Sequence, residues 1–179
     1  VIPVGTNIPV PVEKAPDAGK GLTVSFFGLF FPGRMIETVI DAFRLVALKD
    51  PEVRFRLIGD AHPLHTEYFG RIKAYAAEKL PARRLEWFTG RSPDEIAQAL
   101  QDSRACLLPY PDGATFRRTT LIAALSLGVP VVTNRSGLTP EELVSGEPVL
   151  FAEHADDMAI SVLRILRDEL LAERIARRG

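Results

Sequence analysis

The sequence predicts a doubly wound α/β fold, a parallel sheet with helices on both faces. Short, almost wholly apolar runs alternate with longer runs whose apolar residues recur at a spacing near 3.6. The short runs read as strands buried on both faces, as parallel sheets require. Glycine follows the ends of several of them, where the backbone must turn sharply or approach a ligand closely. Repeated strand-then-helix units joined by right-handed crossovers give this architecture.

The elements follow in order along the 179 residues. Residues 22–29 (LTVSFFGL) read as a strand and 35–48 as a helix with Ile36, Val39, Ile40, Phe43, Val46 and Ala47 on one face. Residues 53–58 form the next strand and 66–80 the next helix; then come strand 85–88 and helix 93–100. Strand 105–108 precedes helix 119–127, and strand 130–133 precedes a short helix near 140–144. Strand 149–152 leads into one last helix, 156–177. Ahead of all of these, the prolines and glycines of 9–21 suit an exposed connection, and the apolar 1–4 reads as the end of a strand. The expected organisation is an interdomain segment and linker over 1–21, one domain over 22–179, and an upstream domain outside this chain.

Composition narrows the function. The length suits one α/β domain. A net charge of -1 gives no general attraction to nucleic acid or anionic lipid, so any anion binding must be local. Cys106, the single cysteine, lies inside an apolar strand and reads as a buried structural residue, which excludes a disulfide framework or thiolate cluster. No apolar run reaches the roughly 20 residues of a membrane span, and the start lacks a signal-peptide pattern; a cytoplasmic location is expected. His62, His65 and His154 are scattered without partners at ligand spacing, so no metal site is expected.

In a doubly wound fold ligands gather at the carboxyl ends of the strands. There the sequence places Gly28 and the loop to Arg34, then Gly59 and Asp60, then Thr89, Gly90, Arg91 and Ser92, then residues 112–118, then 134–139. The most informative stretch is 109–134, PYPDGATFRRTTLIAALSLGVPVVTN. A strand delivers the chain to a Pro-Asp-Gly turn, and a helix opening within 115–119 points unpaired amides outward beside Arg117, Arg118 and threonine hydroxyls. Guanidinium groups match phosphate oxygens in a bidentate way. On these residues alone two readings stand side by side: a diphosphate cradle, or a capped helix with two solvated arginines.

The motifs in sequence resemble the C-terminal, donor-binding half of two-domain GT-B glycosyltransferases, the large retaining group 1 (family 4-like) class that uses nucleotide sugars, in a divergent branch. The likeness is carried by residues 1–8 as an interdomain segment, Phe27-Gly28 with Pro32-Gly33-Arg34 as a glycine loop, and Leu57-Ile58-Gly59-Asp60. Trp87-Phe88-Thr89-Gly90 with Asp94-Glu95-Ile96 resembles the segment near the nucleotide base, and 109–132 the donor-sugar and diphosphate segment, ending in Gly128-Val129-Pro130-Val131-Val132. The chain departs from the common pattern at Thr115 and Ala123, where two glutamates usually stand, and at Leu29, where an arginine is frequent; Arg34 stands where a phosphate-binding lysine is usual.

The resemblance implies transfer of a sugar from a nucleoside diphosphate to an acceptor hydroxyl, with retention. It implies Arg117, Arg118 and Asp112 as catalytic residues, and Gly28, Arg34, Gly59, Asp60, Thr89, Gly90, Gly113, Ala114, Thr115, Thr119 and Thr120 as donor-binding residues. It implies no cofactor beyond the nucleotide sugar, no metal, and an acceptor glycan, lipid or small molecule reached through the missing N-terminal domain, with no nucleic acid and no integral membrane segment. The isolated chain is expected to be inactive. Plainer roles stand beside these: Arg34 at a helix start on the surface, Asp112 as a turn former, Asp60 as a solvated loop residue, Trp87 in the core. The arginines of the tail interleave with acids and suit an exposed helix. A dinucleotide-dependent oxidoreductase and a P-loop ATPase both lack their glycine motifs here. A non-catalytic binding or scaffolding relative that lost the glutamates remains the alternative.

Overall fold

A computed structural model describes residues 6–10, 22–143 and 146–179. Six strands form one wholly parallel sheet: β1 (Thr23–Phe27), β2 (Arg54–Ile58), β3 (Leu85–Phe88), β4 (Ala105–Leu108), β5 (Val131–Thr133) and β6 (Val149–Phe151), in the order β3-β2-β1-β4-β5-β6. The chain builds outward from β1 in one direction, then returns and builds from β4 in the other. The point of reversal lies between β1 and β4, and the loops leaving these two strands diverge there and leave a crevice.

Helices α1 (Ile36–Lys49), α2 (Thr66–Lys79), α3 (Pro93–Gln101), α4 (Thr119–Ser126), α5 (Ala155–Arg167) and α6 (Glu169–Arg178) cover the sheet. Alternate residues of β1 and β4 point to opposite faces, and β4 is buried along its whole length, so each face has its own core. One holds Val24, Phe26, Phe43, Phe55 and Leu107 under α1, α2, α5 and α6; the other holds Ile58, Cys106, Leu108, Tyr110 and Leu121 around α3 and α4. Helix α1 follows its apolar spacing, burying Ile36, Val39, Ile40, Phe43 and Val46. Its open carbonyl end is closed from a distance: Arg84, in a short 3-10 helix (Ala82–Arg84), donates to Asp50 O at 3.2 Å and Ala47 O at 3.1 Å. Trp87 packs edge-on against Phe30 and Phe69, a core contact as expected for its plainer role.

Three expectations change. The last helix is two helices, because Asp168 leaves helical geometry (φ -116, ψ 95) and its carboxylate accepts the Leu171 amide at 2.9 Å, capping α6. The expected helix near 140–144 is a turn through residue 143, with Leu143 N bonded to Pro140 O at 3.1 Å; Val144 lies outside the described residues. The run 22–29 ends as a strand at Phe27, and Phe30 pairs with Ala61 as an isolated bridge. Most of the expected linker, 1–5 and 11–21, lies outside the described residues, although Ile8 is buried in the second core.

Candidate functional site

Two loops face each other across the crevice, one after β1 and one after β4. Arg34 comes from the first. It is followed by Met35, the N-cap of α1, in left-handed geometry (φ 53, ψ 32), a conformation that costs a non-glycine residue about 1 kcal/mol. The guanidinium then lies back over Gly28, where a Cβ would stand 2.5 Å from Arg34 Nη2. A side chain at this position would push the guanidinium aside.

The second loop carries Tyr110, whose side chain is fully buried. Its ring has the Arg34 guanidinium carbon 5.5 Å from its centroid and that of Arg118 at 5.0 Å. Arg34 also lies 5.7 Å from the Phe31 ring. Burial depresses the Arg34 pKa; the Tyr110 side chain raises it, and the charge of Arg118 lowers it further. Burial pushes the Tyr110 phenol upward, so it stays protonated. Arg118 is ion-paired with Asp112. The Nε atoms of Arg34 and Arg118 are both buried without a partner among the described residues.

Arg118 is also the N-cap of α4 and provides no side-chain cap. The first intrahelical bond runs from Ile122 N to Arg118 O at 3.0 Å, so the amides of Thr119, Thr120 and Leu121 stand open at the helix start. Two half-buried cations and a helix N-terminus thus share one place, a setting suited to a multiply charged anion.

The loop is fixed by an asparagine from the far side of β5. Asn134 Oδ1 accepts the Tyr110 amide at 2.7 Å and its Nδ2 donates to the Tyr110 carbonyl at 2.8 Å. Ser136 Oγ donates to Asp112 O at 2.6 Å. Gly113, at φ 79, allows that approach: a Cβ there would lie 2.5 Å from Ser136 Oγ.

Among the expected residues, the structure brings Arg34, Asp112 and Arg118 together, with Arg117 the more exposed of the double arginine. Arg117 and Arg118 both line a groove of about 360 Å³ with Asp112, Thr115, Phe116, Leu138 and Pro140. Several expected ligand contacts are engaged within the protein. Gly113 N bonds Tyr110 O at 3.0 Å and Ala114 N bonds Asn134 O at 3.0 Å. Thr115 Oγ1 accepts Arg117 N at 3.3 Å, and Thr120 Oγ1 shares a hydrogen bond of 2.9 Å with the Tyr110 hydroxyl. Thr119 is exposed at the first position of α4.

Gly59, Asp60, Thr89 and Gly90 form a ledge beside the crevice. Asp60 Oδ1 accepts Gly90 N at 2.7 Å, which ties the loop after β2 to the loop after β3. His65 stacks on Phe31 and His62 lies tilted against it, and among the described residues no group of three or more His, Cys, Asp or Glu comes together. No helix among the described residues is long and apolar enough to cross a membrane. Sequence reasoning missed Tyr110, Asn134 and Met35 as parts of the site. Tyr110 was in view beside the arginines, but its aromatic role depends on a partner in another loop.

A family model described as glycosyl transferases group 1 matches residues 21–168. No curated protein matches the sequence. Among solved structures, sucrose-phosphate synthase from Thermosynechococcus elongatus aligns with a TM-score of 0.80 at 20% identity, over 99% of this chain and 45% of its own. HepE from Anabaena, solved in complex with UDP and glucose, gives 0.76 at 19% identity, over 89% of this chain and 42% of its own. The C-terminal domain of a glycosyl transferase group 1 family protein (LpcC) from Francisella tularensis gives 0.72 at 18% identity, over 88% and 81%. The chain spans less than half the length of the first two structures and most of the third.

Proposed function

The chain belongs to the glycosyl transferases of group 1, with the fold of a GT-B donor-binding domain, and on that premise we propose that it holds a nucleoside diphosphate sugar. The observation that carries this is the pair Arg34 and Arg118, gathered at one aromatic ring beside the open start of α4, with buried Nε atoms unpartnered among the described residues. HepE has been solved with UDP and with UDP-glucose, which supports a nucleotide sugar as the ligand of this crevice.

In the proposed reaction the bond between the anomeric carbon and the β-phosphate oxygen breaks, and the acceptor hydroxyl forms the new bond as its proton passes to the departing diphosphate. Negative charge grows on the leaving diphosphate. Arg34, Arg118 and the α4 amides lie beside it, and each such contact is worth about 3 kcal/mol in comparable anion holes. Asp112, held by Arg118, is placed at the rim of the groove to accept from a sugar hydroxyl. Arg117 meets the sugar or the outer phosphate from the solvent side. The ledge of Gly59, Asp60, Thr89 and Gly90 takes the nucleoside. No metal or further cofactor is invoked.

The remaining elements of the proposal concern the longer protein. Residues 1–21 connect to an N-terminal domain that binds the acceptor and completes the site; the transferred group is a hexose, its configuration is retained, and the enzyme works in the cytoplasm. The chain alone turns over poorly. Calorimetric titration with UDP, GDP and ADP and their sugars tests the reading. Saturable binding of one nucleotide that falls in Arg34→Ala and Arg118→Ala, and less in Arg117→Ala, supports it. Equal binding by all variants refutes it. Thr115 and Ala123, standing where acids are common, favour one second reading, a binding domain without chemistry; nucleotide binding with no turnover in the full-length protein decides for that.

A further inference from the structure

We infer that Tyr110 is a positioning residue of the anion site: the quadrupole of its buried ring holds the guanidinium groups of Arg34 and Arg118 together in the crevice. The inference rests on the reading of that crevice as a diphosphate site.

Two like charges in a half-buried place repel, and something must offset this before a ligand arrives. Arg118 has Asp112. Arg34 has no ion pair among the described residues; its guanidinium meets the Tyr110 and Phe31 rings instead. The difference matters for binding. A carboxylate partner would occupy the N–H edge of the guanidinium, which is the edge a phosphate needs. A ring engages the cation through its π-face and leaves donors free. The ring itself is immobile: Asn134 clamps the Tyr110 amide and carbonyl, Gly113 N donates to that carbonyl at 3.0 Å, and the hydroxyl is bonded to Thr120. Burial keeps the phenol neutral, so no phenolate competes with the ligand anion. Ring, clamp and cations therefore form one preorganised unit, built from the loops after β1, β4 and β5.

The test is calorimetric titration of the chain with inorganic pyrophosphate. Tyr110→Phe keeps the ring, and affinity stays within about threefold of the parent, as expected when the π-face is retained. Replacing Tyr110 with 3,4,5-trifluorophenylalanine keeps the shape of Phe but strips charge from the ring face, and affinity falls about tenfold below Tyr110→Phe. In an Arg34→Gln, Arg118→Gln background, fluorination makes no difference to whatever weak binding is left. A merely structural ring would give Phe and its fluorinated form the same affinity, and that result overturns the inference while leaving the diphosphate reading intact. Absence of pyrophosphate binding by the parent chain overturns both. Fluorination changes shape little, so folding is preserved, and a thermal melt of each variant verifies it.

Discussion

Replacing Asn134 separates packing from hydrogen bonding at the centre of the site. Asn134 is 7% exposed and Tyr110 is 0% exposed, so the Tyr110 amide it serves has no water to turn to, whereas the Tyr110 carbonyl also accepts from Gly113 N at 3.0 Å. Asn134→Leu keeps most of the volume and removes both bonds, at 2.7 and 2.8 Å. The Tyr110 carbonyl keeps Gly113 N, so the substitution leaves one buried polar group, the Tyr110 amide, unsatisfied, at about 1–3 kcal/mol. Asn134→Asp adds a sign. Oδ1 still accepts the Tyr110 amide, but an ionised second oxygen would face the Tyr110 carbonyl, and only the protonated acid can donate to it. Burial and that carbonyl raise the folded-state pKa of the new carboxyl above its unfolded value. Its favourable contribution is therefore fully present below the unfolded pKa and is lost as pH rises through the folded one. Urea unfolding of the parent chain and both variants between pH 4 and 8 reads this directly. Asn134→Leu is expected to be destabilised at every pH, and Asn134→Asp to approach the parent only in acid. A loss below about 0.5 kcal/mol for Asn134→Leu would refute the clamp as a stabilising element.

Thr120→Val strands the buried Tyr110 hydroxyl and is expected to cost about 1–3 kcal/mol in urea unfolding, and adding Tyr110→Phe should recover most of it; additive losses would contradict the hydrogen bond. Ser92→Ala breaks the capping box of α3, in which Ser92 Oγ accepts Glu95 N at 3.3 Å and Glu95 Oε2 accepts Ser92 N at 2.9 Å, and should cost about 1 kcal/mol. Hydrogen bonding from Ser92 holds the Glu95 carboxyl below its usual range, so this cap is present above the unfolded pKa and is lost as pH falls through the folded one; an acid titration by NMR checks the shift. Burial pushes the Cys106 thiol up to about 12, and native protein should therefore resist iodoacetamide at pH 8 while urea-unfolded protein is alkylated, as mass spectrometry would show.

The strand and helix order was legible because it depends on local periodicity. Apolar runs such as VSFF and ACLL can be buried on both faces in only one kind of sheet, and the helices between them carry their own spacing. The errors lie where a single side chain decides. Asp168 could continue a helix or cap a new one, and only its contact with the Leu171 amide settles that. The tight turn at 140–143 has the composition of a short helix, and among the described residues it closes an i to i+3 bond from Leu143 N to Pro140 O. The families of loops that carry the site were also legible, since topology sends them all to one edge of the sheet.

By itself, then, the sequence determined a doubly wound sheet and a cationic loop running into a helix start, both written in residues close together in the chain. Which cation serves that loop was decided by the tertiary structure. Arg117 and Arg118 are neighbours with equal claims in sequence and both line the groove, yet Arg118 also reaches the Tyr110 ring and Asp112 while Arg117 is exposed. Arg34 arrives from another loop over a glycine that leaves it room, and Asn134 reaches Tyr110 across 24 residues of chain. Periodicity encodes burial, which is local and cumulative, whereas the direction of a charged side chain depends on a few long-range partners that exist only once the sheet has brought its loops together.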